Sequence, residues 1–153
     1  MAKLKKILFY SDSKIFGGHE IMSTKIANTL IENNYMVEFM YYNESFNLKL
    51  DNKITKHFNS IYDKTPLPFI RNLNFYKILK IYKKIKQINP DVIVVCQGNI
   101  ELSLKGLIAS KLLKIYTISY IPFGNSFSSM NSRMFKVRDF INQYYYTLPD
   151  LFI

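Results

Sequence analysis

Short apolar runs alternate along this chain with stretches whose apolar residues recur every three or four positions. The runs are "KKILFY" (5–10), "MVEFMYY" (36–42), "DVIVVC" (91–96) and "IYTISYI" (115–121), rich in branched and aromatic residues, and each predicts a strand. "DVIVVC" is almost wholly apolar, as a strand buried on both faces of a parallel sheet should be. Between the runs lie helical patterns. Residues 19–34 place Met22, Ile26, Ala27, Leu30 and Ile31 on one stripe, with Asn33 and Asn34 as stop residues. Residues 75–88 put Phe75, Ile78, Leu79, Tyr82 and Ile85 on one face and Lys77, Lys80, Lys83, Lys84 and Lys86 on the other, before Pro90 ends them. Residues 100–114 and 132–146 predict two more helices. Residues 43–74, with Pro66 and Pro68, show no clear period beyond a short strand around Ile54 to Phe58.

Alternating strand and helix patterns define an α/β class: a Rossmann-like, doubly wound parallel sheet with helices on both faces. The length of 153 residues suits one domain with a real core. "NPDVIVV" (89–95) is a helix stop followed by a strand, and "LPDLFI" (148–153) repeats that order. The expectation is that residues 1–153 form a single Rossmann-like N-terminal domain, truncated and without its C-terminal partner domain.

The glycines add chemistry to this frame. Gly17 and Gly18 follow the first predicted strand, Gly98 follows "DVIVVC" and Gly124 follows "IYTISYI", while Gly106 lies inside a predicted helix. In an open parallel sheet the trailing ends of the strands share one edge, where ligands bind. The polar residues Ser11, Asp12, Ser13, Gln97, Asn99, Asn125 and Ser126 gather at the same ends. Gly17 and Gly18 lead into a helix, whose first N–H groups favour an anion such as phosphate. The spacing is neither G-x-G-x-x-G nor G-x-x-x-x-G-K-[ST], and Glu38 is placed mid-strand rather than at a ribose. A dinucleotide dehydrogenase and a P-loop NTPase are thereby disfavoured.

Composition narrows the picture further. Hydrophobic residues make up 48% and charged residues 21%, a globular profile. One cysteine, Cys96, excludes an internal disulfide framework and fits a reducing, cytoplasmic compartment. It reads as a small core residue rather than a nucleophile. No apolar stretch approaches the roughly 20 residues that span a bilayer. The formal charge of +10 attracts nucleic acid, anionic lipid headgroups or phosphorylated small molecules alike. The lysine face of residues 75–88 is either a solvated surface or a contact for an anionic membrane. His19 is balanced between a ligand contact in the crevice and a solvent-facing helix start. Glu20 complements the helix N-terminus, and His57 has no evident partner. No His, Cys, Asp and Glu spacing suggests a metal site.

Four segments in order, "KKILFYSDSKIFGGHEIMSTKIANTLIENNYMVEF", "IKQINPDVIVVCQGN", "ISYIPFGNSFS" and "RDFINQYYYTLPDLFI", resemble the N-terminal, acceptor-binding domain of a family 4 glycosyltransferase of the GT-B architecture. The resemblance implies an enzyme, when full length, that moves a sugar with retention from a nucleotide-sugar to a glycan or lipid-linked acceptor in polysaccharide or cell-envelope assembly. It implies donor phosphate or sugar binding at Gly17 and Gly18, with His19, Gln97, Gly98, Asn99, Asn125 and Ser126 as acceptor or sugar-binding candidates. It implies no metal and no cofactor beyond the nucleotide-sugar co-substrate, and no nucleic-acid partner. It allows peripheral contact with the inner face of the plasma membrane. The sequence departs from the family after "IYTISY", where Ile121, Pro122, Phe123, Gly124 and Asn125 stand with no histidine, so the catalytic residues stay unassigned. The fragment alone is expected to be inactive. The alternative is a non-catalytic, basic Rossmann-like module that binds nucleic acid or another polyanion. A receiver-like domain would need paired acidic residues after the first strand, and only Asp12 is there.

Overall fold

The computed structural model describes residues 5–61, 74–122 and 126–153. Among them lie the strands β1 (Lys6–Ser11), β2 (Met36–Tyr41), β3 (Thr55–Phe58), β4 (Val92–Cys96), β5 (Tyr116–Tyr120) and β6 (Leu151–Phe152). The helices are α1 (Gly18–Glu32), α2 (Ser45–Lys49), α3 (Phe75–Ile88), α4 (Leu104–Leu112) and α5 (Phe135–Tyr145). The strands form one sheet in the order β3-β2-β1-β4-β5-β6, and every pairing is parallel. This is the doubly wound, Rossmann-like order, with the direction of winding reversing between β1 and β4.

The apolar strands follow from burial on both faces. In β1, Leu8 and Tyr10 join a cluster with Ile81, Ile85 and Ile88 of α3 and Leu104 and Leu107 of α4. Phe9 points the other way, into a cluster with Phe39, Val94, Ala27 of α1 and Phe46 of α2. Alternate side chains of one strand thus feed two cores, so no position can be polar without a partner. Rings of Phe9 and Phe39 stack at 5.4 Å, and Phe16 meets Phe46 edge-on at 5.0 Å. Such pairs contribute roughly 0.5–1.5 kcal/mol each beyond area burial.

Helix ends follow the sequence signals. Asn33 is the C-cap of α1, with Asn34 at φ 63° beyond it, and Asn89 ends α3 at φ 51°, one residue before Pro90. The left-handed region is where asparagine is tolerated best after glycine. Asn74 opens α3, its side chain accepting the Lys77 N–H. The repeated Pro-Asp has a geometric role. Asp91 accepts the Lys6 N–H at 2.7 Å and Asp150 accepts the Thr117 N–H at 2.8 Å, each at the start of the neighbouring strand. The Asp150 carboxyl is held below its usual range, chiefly by Lys111 and then by that Thr117 N–H.

Three sequence expectations are corrected. The inward face of α3 is Ile78, Ile81, Ile85 and Ile88, whereas Phe75 and Leu79 are exposed. The inward face of α1 carries Glu20, Ser23, Thr24 and Ala27, and Met22 faces out. The rest of both stripes holds: Ile26, Leu30 and Ile31 of α1 pack against the core with Ala27, and Tyr82 of α3 packs beside Ile78 and Ile85. The short helix α2 lies in the region without a visible period. β6 carries the predicted strand start, but its residues are exposed at the sheet edge.

Gly106 permits the closest approach of α4 to the sheet: a Cβ there would lie 2.2 Å from Tyr10 Cδ1. Alanine is the better helix former by about 1 kcal/mol, so packing and propensity oppose each other. Gly106→Ala is expected to lose about 1–3 kcal/mol in denaturant titration because overpacking wins; a raised midpoint would show that the ring yields freely.

Candidate functional site

At the β1/β4 reversal two loops leave the same edge of the sheet, residues 12–17 after β1 and 97–103 after β4. Open α/β sheets bind ligands in the crevice such a reversal creates. Asp12 ties the two loops together. Its Oδ1 accepts the Ser103 N–H at 2.8 Å, its own N–H donates to Ser103 Oγ at 3.2 Å, and Lys105 Nζ approaches Oδ2 at 3.3 Å. Ser103, which caps α4, holds a left-handed φ of 56°. A buried Lys105 beside a nearly buried Asp12 satisfies the rule that desolvated charges be paired.

Gly17 and Gly18 have different surroundings. Gly17 caps α1 in an extended conformation, and its N–H donates to Glu20 Oε2 at 2.9 Å. This is one half of a capping box, with the carboxylate of Glu20 serving as the anion at the helix N-terminus. A Cβ built at Gly18 would meet nothing within 4 Å, so this backbone is open to an incoming group. Glu20 is only 1% exposed. Burial pushes its carboxyl up, but hydrogen bonds from His19, Ser13 and the Gly17 N–H together hold it below its ordinary value. His19 Nε2 stands 2.5 Å from Glu20 Oε1.

The His19 ring also joins the loops. A Cβ at Gly98 would lie 2.8 Å from His19 Cε1 and 2.9 Å from Nδ1. Glycine leaves room for the ring at this position without help from a positive φ, which no described glycine has; a larger residue would push the His19 ring aside. Gly17, Gly18, His19 and Gly98 therefore form one cluster at the crevice. Gln97 lies beneath it, fully buried. Its Nε2 donates to the carbonyls of Ile100 at 2.9 Å and Leu102 at 2.8 Å, and its Oε1 accepts the Ser119 hydroxyl. The amide shapes the loop and has no group left to face a ligand. Asn99 Oδ1 accepts the Glu101 N–H at 3.0 Å, closing a turn at the crevice rim. Ser126 is exposed and pairs with Ser128 Oγ at 2.8 Å. Asn125, with Phe123 and Gly124, lies outside the described residues.

Sequence reasoning missed Glu101. This buried carboxylate accepts Arg138 Nε at 2.9 Å and Nη2 at 2.7 Å, and Asn142 Nδ2 at 3.1 Å. The bidentate fork clamps the β4–α4 loop to α5. Arg138 also stacks 3.7 Å from the Phe127 ring centroid. No local sequence signal pairs residues so far apart along the chain. Cys96 ends β4 inside the core, and burial first of all pushes its thiol up to about 12, so it is no nucleophile at neutral pH. Among the described residues no group of three His, Cys, Asp or Glu is arranged to hold a metal ion, and no helix is long and apolar enough to cross a membrane.

No family model matches this sequence, and no curated protein matches it closely enough to define a relative. Solved structures match its fold. A candidate UDP-N-acetylglucosamine 2-epimerase from Listeria monocytogenes superposes with a TM-score of 0.72 at 13% identity, over 100% of this chain and 39% of that one. MurG of Acinetobacter baumannii gives 0.64 at 16% identity, over 97% and 40%. A UDP-glucosyltransferase from Polygonum tinctorium gives 0.57 at 12% identity, over 84% and 32%. These neighbours have the GT-B type of fold, and this chain matches one Rossmann-like half of it. It spans about two-fifths of the length of the first two.

The Glu20 geometry makes the acid limb of stability testable. With its folded value depressed, Glu20 stabilises the fold fully above about pH 4.5, its ordinary value, and that contribution fades as pH falls through the depressed one. Glu20→Gln should flatten the loss of stability below pH 4.5 in pH-dependent melts. Superimposable acid limbs in variant and parent would place the carboxylate's influence elsewhere.

Proposed function

We propose that this chain is the acceptor-side half of a glycosyltransferase that draws its sugar from a nucleotide-sugar donor. The observation that carries the reading is the cluster of Gly18, His19 and Gly98 at the β1/β4 reversal. Open backbone there lies beside a histidine ring held by a buried carboxylate. In this reading the exposed N–H groups at Gly18 approach the donor's diphosphate or sugar, which any side chain would push away. Gly98 sets how far the His19 ring can turn toward an acceptor hydroxyl. Asn99 contributes polar contacts along the rim, and transfer proceeds with retention at the anomeric carbon, without a bound metal. The second domain of a GT-B enzyme would close the crevice, and the acceptor is a glycan or a lipid-linked precursor.

Gly18→Val is the direct test in the complete enzyme. Nothing lies within 4 Å of the added Cβ, so the melting temperature should hold while transfer of radiolabelled sugar drops at least about a hundredfold. Unaltered turnover would move the donor's approach away from α1. Conversion of the donor to an epimer with no acceptor present would replace transfer by epimerisation, the chemistry named for one structural neighbour.

Membrane contact is proposed for the outer face of α3. Phe75 is 74% exposed, Tyr76 66% and Leu79 47%, with Lys80 placed 4.5 Å over the Tyr76 ring. Apolar and basic groups on one exposed helical face suit an anionic interface, and a lipid-linked acceptor would be presented there. Sedimentation with vesicles rich in phosphatidylglycerol should pull down the parent chain and several-fold less of the Tyr76→Ser, Leu79→Ser double variant. Equal sedimentation of the two would remove α3 as the contact.

A further inference from the structure

A second cavity lies on the α3 face of the sheet, between β2, β3 and α3. Its volume is about 570 Å³, and Lys6, Glu38, Met40, Lys56, His57, Phe58, Lys84, Gln87 and Ile88 line it. None of these residues belongs to the loops at 12–18 or 97–103. Lys6 opens β1, five residues from its trailing end, which at about 3.3 Å per residue is roughly 16 Å away.

The floor of the cavity breaks the rule the strands otherwise obey. β2 is an interior strand, yet Glu38 sits in its middle with a side chain only 12% exposed. Lys6 Nζ reaches its Oε1 at 3.2 Å, and His57 Nε2 reaches its Oε2 at 2.6 Å. An apolar residue would pack this position at no desolvation cost. The rim is basic. Lys56 Nζ donates to the Asn47 carbonyl at 3.1 Å, and Lys84 Nζ donates to the Phe58 carbonyl at 3.2 Å. Neither has a carboxylate partner among the described residues, and each ammonium keeps donors beyond that one bond. Lys56 carries its ammonium to α2 on the opposite face, so the ammonium groups of Lys6 and Lys84 and the His57 imidazole face one carboxylate, with Met40 and Ile88 as apolar wall.

We infer that this cavity is a binding site for a phosphomonoester carrying hydroxyl groups. The phosphate fits the ammonium group of Lys84, which has no carboxylate partner among the described residues, beside Lys6 and His57, and the hydroxyls donate to the Glu38 carboxylate. The volume falls within the range of small-ligand sites. A bare anion is disfavoured because it gains the lysines but meets the repulsion of Glu38, so the carboxylate selects for a hydroxylated body. The inference does not depend on the transferase reading, since the two sites share no residue.

The chain has two histidines, one in each site, and their ring proton resonances report separately. Glycerol 3-phosphate titrated into the whole chain should shift the His57 signal and leave His19 in place, with affinity about tenfold above that of inorganic phosphate. Lys84→Ala, a half-buried helix change that removes one bond to the Phe58 carbonyl and should leave the melting temperature within a few degrees, should weaken binding about tenfold. Glu38→Gln should erase the preference over inorganic phosphate. Vesicles of phosphatidic acid form the second arm: a His57 shift with vesicles and none with glycerol 3-phosphate assigns the same chemistry to a lipid headgroup. A His57 signal unmoved by either probe, or one moved alike in Lys84→Ala, overturns the site.

Discussion

The parallel pairing of β1 with β4 is the constraint on which the rest of this molecule depends. Ile7 to Tyr10 lie in register with Val92 to Val95, although more than eighty residues separate them in the chain. The pairing brings the first loop beside the fourth, and the winding direction reverses there. Asp91 holds the start of the seam through the Lys6 N–H, and Asp12 and Ser103 hold its far end. Between those ties the register has no freedom to slip, because a shift of one residue would exchange Phe9 and Tyr10 between two different cores. The nearness of His19 to Gly98 is a consequence of this seam.

Charge is used inside the fold to position loops. Asp12 with Lys105 and Glu101 with Arg138 are buried or nearly buried pairs, each with further hydrogen bonds. Pairs of this kind add little net stability, but breaking one leaves an uncompensated charge. They therefore fix where the loops go. Glu20 does the same at α1: it supplies the anion that the helix N-terminus attracts, while the backbone at Gly18 stays open. The +10 surplus lies elsewhere, much of it on α3 and around the Glu38 cavity. One helix thereby presents lysines both to solvent and to a concave site.

The fold was legible in the sequence to the extent that it depends on local rules. The apolar runs became parallel strands, Asn33, Asn34 and Asn89 ended helices, and the glycines at 17, 18 and 98 came to one edge. The site was legible only as a neighbourhood. Gln97 has the composition of a sugar contact, yet it is buried and builds its own loop. His57 showed no partner, because Glu38 is adjacent only through the Met40–His57 register of β2 and β3. Phe75 and Leu79 have the spacing of core residues, yet the isoleucines beside them took the inward face.

The amino-acid sequence by itself determined the period of each element, its ends and the class of sheet, because these follow from propensity, patterning and caps acting within a few residues. Tertiary structure alone decided which side chains meet: Gly98 against His19, Arg138 on Glu101, Lys6 and His57 around Glu38. Those meetings depend on strand order and register, which bring together residues far apart in the chain. No local pattern encodes them, because their geometry exists only once both cores have closed around the sheet.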